Sequence, residues 1–207
     1  MALRIGQRCR SQVCDIKAQG EILEWADEAI YLGVYISSGY KFCCNAEKNK
    51  IKFYRAANCI LSKLGNLDNA ATSVHLITTI ALPILTYSFE ALLLNKTQLL
   101  DVERPWSRTF MKLFKTFDCS IVRQCQFYTG SLPIAYLYVL RKMSFLLNLE
   151  MSENSLLKEL SYRNNRAEIS LLADRFDCDT EWFKDNYRNI VFEHFNEDVI
   201  AGDHCAL

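Results

Sequence analysis

Glycine and proline are scarce in this sequence, with seven and three among 207 residues. Sandwiches and barrels of short strands need many tight turns, which these residues usually supply, so the composition disfavours both architectures. Long apolar runs are missing too: the longest, residues 81–94, is interrupted by Pro83, Thr86, Ser88 and Glu90. It is too short and too polar to span a bilayer, so we expect a buried helix there and no membrane partner.

Cysteine pairs of the kind that bind zinc are also missing. The nine cysteines include no C-x-x-C pair, and the three histidines do not complete a four-coordinate site. The number of cysteines is odd, and no apolar leader opens the chain. We expect reduced and buried cysteines, no metal site and an intracellular protein, with nucleus and cytoplasm both open.

Motifs of the common enzyme classes are absent from the sequence. It contains no glycine-rich phosphate loop, no nucleophile elbow and no H-E-x-x-H zinc motif. The string Trp25-Ala26-Asp27-Glu28 is similar to the aromatic-x-Asp-Asp turn of polymerases, but two-metal catalysis also needs an aspartate from another strand. We interpret Asp27 and Glu28 as exposed turn residues, and we predict no catalytic residue and no cofactor in this chain.

Near residue 42 the spacing of the apolar residues changes from a strand-like period of 2 to the helical period of 3.6 residues. The preceding residues predict strands at Met1–Ile5, Val13–Ile16, Gly20–Trp25 and Ala29–Ile36. Gly33, inside the last of these, indicates a bulge or a close backbone approach. Helical periodicity then predicts helices at 44–64, 69–82, 84–94, 97–116, 119–129, 133–149, 153–163, 167–175 and 180–196. The predicted fold is mainly α, with a short N-terminal hairpin or sheet remnant before a helical bundle.

Charge is divided unevenly along the chain. Residues 1–150 carry 18 Lys and Arg against 12 Asp and Glu, whereas residues 151–207 carry 6 against 12. A basic body with an acidic tail is typical of some proteins that contact nucleic acid. With the change of period, the charge pattern predicts three domains, at residues 1–40, 41–150 and 151–207, the last an acidic helical tail.

Two of the predicted helices carry cations along one face. At 100° per residue, each set falls within an arc of about 80°. The two sets are Lys48, Lys52, Arg55 and Lys63, then Arg104, Arg108, Lys112 and Lys115. No acid stands four residues from any of them, so a phosphate backbone would relieve their repulsion, although a solvated helix face is the alternative.

Three residues qualify these two faces. Lys50 lies among the apolar residues of its helix, and Phe117 falls on the apolar side of the second helix. Pro105 removes a backbone donor, so we expect it to kink the second helix or to begin it there, which would take Arg104 out of the set.

Four motifs follow one another in the order found in a known family. They are YLGVYI at 31–36, KFYRAAN at 52–58, LPILTYSFEA at 82–91 and FMKLFKT at 110–116. The chain from residue 1 to about residue 147 resembles the C-terminal part of the reverse transcriptase of LINE-type, non-LTR retrotransposons, that is, the end of the palm and the thumb. Residues 148–207 match this family less clearly.

The resemblance implies a fold and a partner. Residues 1–40 would be the last palm strands, with a primer-grip hairpin, and residues 41–150 a helical thumb-like domain that holds a template–primer duplex of RNA and DNA. The resemblance implies that nucleic acid is contacted by Tyr31, Leu32, Gly33, Lys48, Lys52 and Arg55. The two cationic helix faces add Lys63, Arg108, Lys112 and Lys115 to the predicted contact residues. The family copies RNA into DNA with Mg²⁺ held by palm aspartates, which would precede Met1 and are not among these 207 residues. The chain is therefore expected to be a truncated, inactive reverse transcriptase.

The sequence leaves two other hypotheses open. In the first, the chain is a helical protein-interaction module derived from a retroelement, with a full-length reverse transcriptase or another protein as its partner. In the second, it is a thiol enzyme, because Cys43 and Cys44 fall at a predicted helix start, where the helix dipole lowers a thiol pKa.

Overall fold

The computed structural model describes residues 1–9, 11, 14–18, 20–64, 69–92 and 94–201, with the backbone alone for residues 43, 158 and 160–164. Within these ranges the protein is mainly helical with short N-terminal strands, which confirms the predicted fold class at that level. Two compact units divide the chain, Met1–Ile51 and Lys52–Leu207. This division differs from the predicted boundaries at residues 40 and 150.

Seven short strands lie in the part of the N-terminal unit that the structure describes. They are β1 Ala2–Leu3, β2 Ile16–Ala18, β3 Glu21–Leu23, β4 Trp25–Ala26, β5 Glu28–Tyr31, β6 Val34–Ser37 and β7 Cys43–Cys44. Strand β1 pairs with β4 in parallel, β2 with β3 antiparallel, and β5, β6 and β7 form an antiparallel sheet in that order. The predicted strand Val13–Ile16 begins outside the described residues.

The single predicted strand Ala29–Ile36 is wrong, because the chain reverses within it. Strands β5 and β6 pair with Tyr31 opposite Val34, which leaves Leu32 and Gly33 as a two-residue turn. Both turn residues have positive φ, 48° and 79°, as in the type I′ turns that match the twist of a hairpin. Gly33 therefore serves a turn and not a bulge.

The α-helices follow β7, and the helical unit begins at Lys52, within the first of them. The α-helices are α1 Glu47–Leu64, α2 Ala70–Leu76, α3 Leu82–Leu85, α4 Lys96–Phe114, α5 Cys119–Tyr128, α6 Ile134–Glu150, α7 Ser155–Ala173 and α8 Thr180–Ala201. A π-helical segment, Ile77–Ala81, joins α2 to α3, and the Leu82 N–H donates to the Ile77 carbonyl across it. Pro83 has no N–H to continue the ordinary ladder, which accounts for the change of hydrogen bonding just before it.

Several predicted helix boundaries differ from the structure. Helix α1 begins at Glu47 because residues 43 and 44 pair with β6, and α7 is one helix where two were predicted. The predicted helix 84–94 is replaced by the end of α3 and a 3₁₀ turn, Phe89–Ala91. Helix α4 runs through Pro105, which lies in its buried face and does not begin it. No described helix is long and apolar enough to cross a membrane.

Aromatic side chains fill the centre of the helical unit. Trp106 of α4 is fully buried, and its ring packs edge-on against Phe53 of α1 and Phe110 of its own helix. The Trp106 indole Nε1 donates to the Leu132 carbonyl at 3.1 Å, so the one polar atom of this ring is satisfied. The two apolar helix faces predicted from periodicity therefore meet at Trp106.

The described residues of the acidic segment, 151–201, are packed into the helical unit. Phe183, Val191 and Phe195 of α8 are buried, and α7 contacts α6 through a buried ion pair between Lys142 and Glu168, 2.9 Å apart. A Lys184–Glu150 pair connects α8 with the end of α6. The segment thus contributes core residues and does not hang free as a tail.

We expect Glu168→Ala to lower the free energy of unfolding by about 3 kcal/mol, because it leaves the Lys142 ammonium buried without a counter-charge. The double variant Lys142→Met, Glu168→Leu should stay within about 1 kcal/mol of the parent, since it removes both charges. Urea unfolding of the three proteins measures both differences. A double variant as unstable as the single one would contradict this interpretation.

Candidate nucleic-acid interface

The β5–β6 hairpin presents its tip to solvent. Tyr31 and Leu32 are 66% and 75% exposed, although a hairpin tip more often carries polar residues. Leu32 also adopts a left-handed conformation that a branched apolar side chain seldom takes. The structure therefore places Tyr31, Leu32 and Gly33 together as one exposed, partly apolar turn.

Lys48 is held by other residues of the N-terminal unit. Its Nζ lies 3.1 Å from the Glu28 carboxylate and 3.9 Å from the centre of the Tyr35 ring. The Asn45 amide donates to the same carboxylate at 3.0 Å. The Lys48 hydrogen bond, followed by that of Asn45, lowers the pKa of Glu28. Lys48 thus has an anionic and an aromatic partner, and Glu28 is a half-buried strand residue rather than the exposed turn residue predicted, whereas Asp27 is exposed.

The remaining cations of α1 lie on its outer face. Lys52, Arg55 and Lys63 are exposed, and none of them makes an ion pair or hydrogen bond with the described residues. The opposite face of the helix buries Phe53 and Ala57. Lys50, which the wheel placed among the apolar residues, is indeed buried, and its ammonium forms an ion pair with Glu47 one turn before it.

Helix α4 shows a similar division of cations and apolar residues. Arg108 is exposed and has no partner among the described residues, and Lys112 donates from Nζ to Asn58 Oδ1 of α1 at 3.1 Å. Lys115 ends the helix in a left-handed conformation and is exposed. Arg104 lies 3.5 Å from Asp101, three residues before it, so this cation has an acidic partner although no acid stands four residues from it.

Phe117 departs from its predicted position. The wheel placed it on the buried side of α4, but the helix ends at Phe114 and Lys115 turns the chain. Phe117 is 94% exposed as a result. A helical wheel assigns a face only where the helix continues, so the error follows from the helix end.

The two cationic faces belong to neighbouring helices that run in the same direction. Phe53 packs on Trp106 with ring centres 6.4 Å apart, and Asn58 accepts from Lys112, so both helices advance together along the contact. Arg55 precedes Asn58 by one helical turn, and Arg108 precedes Lys112 by one turn. Arg55 and Arg108 therefore stand at matching heights on α1 and α4, each on the outer face of its helix, and we call the exposed cations of these two faces the cationic seam.

This arrangement suits anion binding and not acid–base chemistry. Guanidinium and ammonium groups donate hydrogen bonds to phosphate oxygens, and their clustering favours a polyanion whose counterions are released on binding. Among the described residues, no three His, Cys, Asp or Glu side chains come close enough to hold a metal ion.

The thiols do not form the site that Cys43 and Cys44 suggested. Both residues lie in β7, and α1 begins three residues later, so the helix dipole does not act on them. The seven cysteines whose side chains are described are free thiols, and none is buried; Cys14, Cys59 and Cys119 are exposed. The expectation of buried cysteines is wrong for these seven, and Cys205 lies outside the described residues.

Sequence reasoning missed a polar cluster inside the helical unit. The Tyr136 hydroxyl of α6 lies 3.0 Å from His194 Nδ1 and donates a short hydrogen bond to Asp198, both on α8. Burial, followed by the Asp198 hydrogen bond, raises the pKa of Tyr136. The spacing of His194 and Asp198, four residues apart, places them on one helix face, but only the fold shows Tyr136 between them.

Comparison with known proteins finds no family model, no curated protein and no solved structure that matches the chain. A functional assignment therefore depends on the geometry described above. The resemblance of the four sequence motifs to non-LTR reverse transcriptases is the second basis for a proposal.

The lowered pKa of Glu28 makes stability depend on pH. A carboxylate whose folded pKa lies below its ordinary value of 4.5 stabilises the fold above pH 4.5, and this contribution is lost as the pH falls through the folded value. We expect Lys48→Met to remove most of that contribution and to reduce the loss of stability between neutral pH and pH 3. Unfolding curves at several pH values, with NMR titration of the Glu28 carboxyl, measure it; an unchanged Glu28 pKa in the variant would contradict it.

Proposed function

We propose that this chain is the palm-end and thumb-like part of a non-LTR reverse transcriptase, that it has no polymerase activity by itself, and that its helical unit binds an RNA/DNA template–primer duplex through α1 and α4. The observation that carries the proposal is the set of exposed cations on the outer faces of these two parallel helices. Lys52, Arg55 and Arg108 have no described counter-charge, so their positive potential is available to a phosphate backbone.

Phosphate contacts are the chemistry that these side chains can provide. A backbone-binding surface needs positive groups in a row and no base-reading pocket, and it recognises duplex charge rather than sequence. Lys63 and Lys115 would extend the contact at the ends of α1 and α4. In the N-terminal unit, taken by itself, the exposed ring of Tyr31 is of the kind that stacks on a base. Lys48 would contribute least, because Glu28 and Tyr35 already hold its ammonium.

A helical protein-interaction module is the second candidate. Large apolar side chains stand exposed around α5, namely Phe117, Ile121 and Tyr128, the last 83% exposed. Aromatic residues are enriched where proteins bind one another. Such a module would bind a protein partner with little dependence on salt, and this separates it from the duplex-binding proposal.

The duplex assay measures binding of a fluorescent RNA/DNA hybrid across salt concentrations. Each phosphate contact adds about 0.9 to the slope of log K against log salt, so the variant Lys52→Gln, Arg55→Gln, Arg108→Gln should lose about three units of slope and most of its affinity. The matched control is Lys17→Gln, Lys41→Gln, Arg166→Gln, which removes the same net charge from exposed positions outside α1 and α4. Equal losses in the two triple variants, or no measurable binding by the parent chain, would contradict the proposal.

A polymerase assay tests the second half of the proposal. With primer–template, deoxynucleotides and Mg²⁺, the chain should incorporate no nucleotide, because two-metal catalysis needs carboxylates that converge on the ions. A full-length reverse transcriptase in the same buffer is the positive control. Incorporation by this chain alone would contradict the proposed inactivity.

A further inference from the structure

A groove with a volume of about 210 Å³ lies between α6 and α8. Its walls are formed by Leu140, Arg141, Ser144, Tyr187, Arg188 and Phe192. None of these residues belongs to the cationic seam of α1 and α4. The groove thus combines two arginines with apolar side chains in a second place on the helical unit.

Both arginines are positioned by neighbours. Arg141 donates from Nη1 to the Thr86 carbonyl at 3.1 Å, and the same nitrogen lies 3.4 Å from the Glu90 carboxylate. Arg188 donates from Nε to the hydroxyl of the buried Tyr187 at 3.1 Å. The terminal nitrogens of Arg188 have no partner among the described residues, so one end of this guanidinium is fixed while the other is free to donate.

The rest of the groove is apolar with one hydroxyl. Leu140 and Phe192 supply the apolar wall, and Phe192 is half exposed although it is large and aromatic. Ser144 stands one turn after Arg141 and forms no hydrogen bond with the described residues. A ligand with an anionic group attached to an apolar ring or chain would contact both the Arg188 guanidinium and this apolar wall.

Size and charge narrow the class of ligand. A volume of about 210 Å³ is below the roughly 300–1,000 Å³ of pockets for drug-sized molecules, so it fits little more than one aromatic ring with a small anionic group. Glu90 already balances Arg141, which leaves the single charge of Arg188 for the ligand. A planar carboxylate carries one charge and accepts two parallel hydrogen bonds from a guanidinium, whereas a doubly charged phosphate carries one charge more than Arg188 balances.

We propose that the groove between α6 and α8 binds small aromatic or aliphatic carboxylates, with Arg188 and Ser144 donating to the carboxylate and Leu140 and Phe192 contacting the apolar body. The proposal is independent of nucleic-acid binding, because the two surfaces share no residue. A carboxylate that occupies the groove would join α6 to α8 and stabilise their packing.

The test uses benzoate as the probe and the full chain as the protein. NMR titration should show saturable binding in the millimolar range, with shifts confined to the groove, and benzamide, which has the same shape without the charge, should bind at least about tenfold more weakly. Arg188→Gln should weaken benzoate binding about tenfold, and Phe192→Ala should weaken it as well.

Arg166→Gln is the matched control, since Arg166 is exposed on α7 and lines no part of the groove. It should leave benzoate binding unchanged. The proposal is overturned if benzoate does not saturate, if benzamide binds equally well, or if Arg188→Gln has no more effect than the control. Tighter binding of phenyl phosphate than of benzoate would overturn the assignment to carboxylates.

Discussion

Burial of Trp106 determines how the helices of the larger unit are arranged. Its ring contacts Phe53 of α1, and its indole N–H holds the Leu132 carbonyl just before α6. Three residues earlier on α4, the Glu103 carboxylate accepts from the Ile134 N–H at the start of α6, and burial raises the pKa of Glu103. One helix therefore positions both α1 and α6, and replacing an aromatic core residue of this kind by alanine costs about 3–5 kcal/mol.

The exposed cations are a consequence of this packing. Once Phe53 and Trp106 face each other, the opposite sides of α1 and α4 must face solvent, and the basic residues occupy those sides. Two cations that the packing buries are paired, Lys50 with Glu47 and Lys142 with Glu168. A buried charge without a partner is costly, whereas a solvated one is not. The acidic residues therefore pair with the buried lysines, and the outer faces of α1 and α4 stay positive.

Periodicity predicts which face of a single helix or strand is exposed. It fails where the position of a residue depends on a turn, on a helix end or on a second element. It placed Lys52, Arg55 and Arg108 on outer faces correctly, because each helix needs only one apolar side to choose its orientation. It missed the reversal at Leu32 and Gly33, since a leucine in a left-handed turn gives no turn signal, and it misplaced Phe117 because Lys115 ends α4. The groove of α6 and α8 could not be predicted from sequence, since Arg141 and Arg188 are 47 positions apart and meet only through packing.

Net charge over a segment says little about the anions that its surface accepts. Residues 151–207 carry twice as many acids as bases, yet α8 contributes Arg188, which lines a groove. In contrast, the α1–α4 seam is open and extended, so it offers many weak phosphate contacts that salt screens. The groove is small and partly apolar, and a bound carboxylate there would be less exposed to salt. The two surfaces therefore differ in the physics of binding as well as in position, which makes their ligands separable by ionic strength alone.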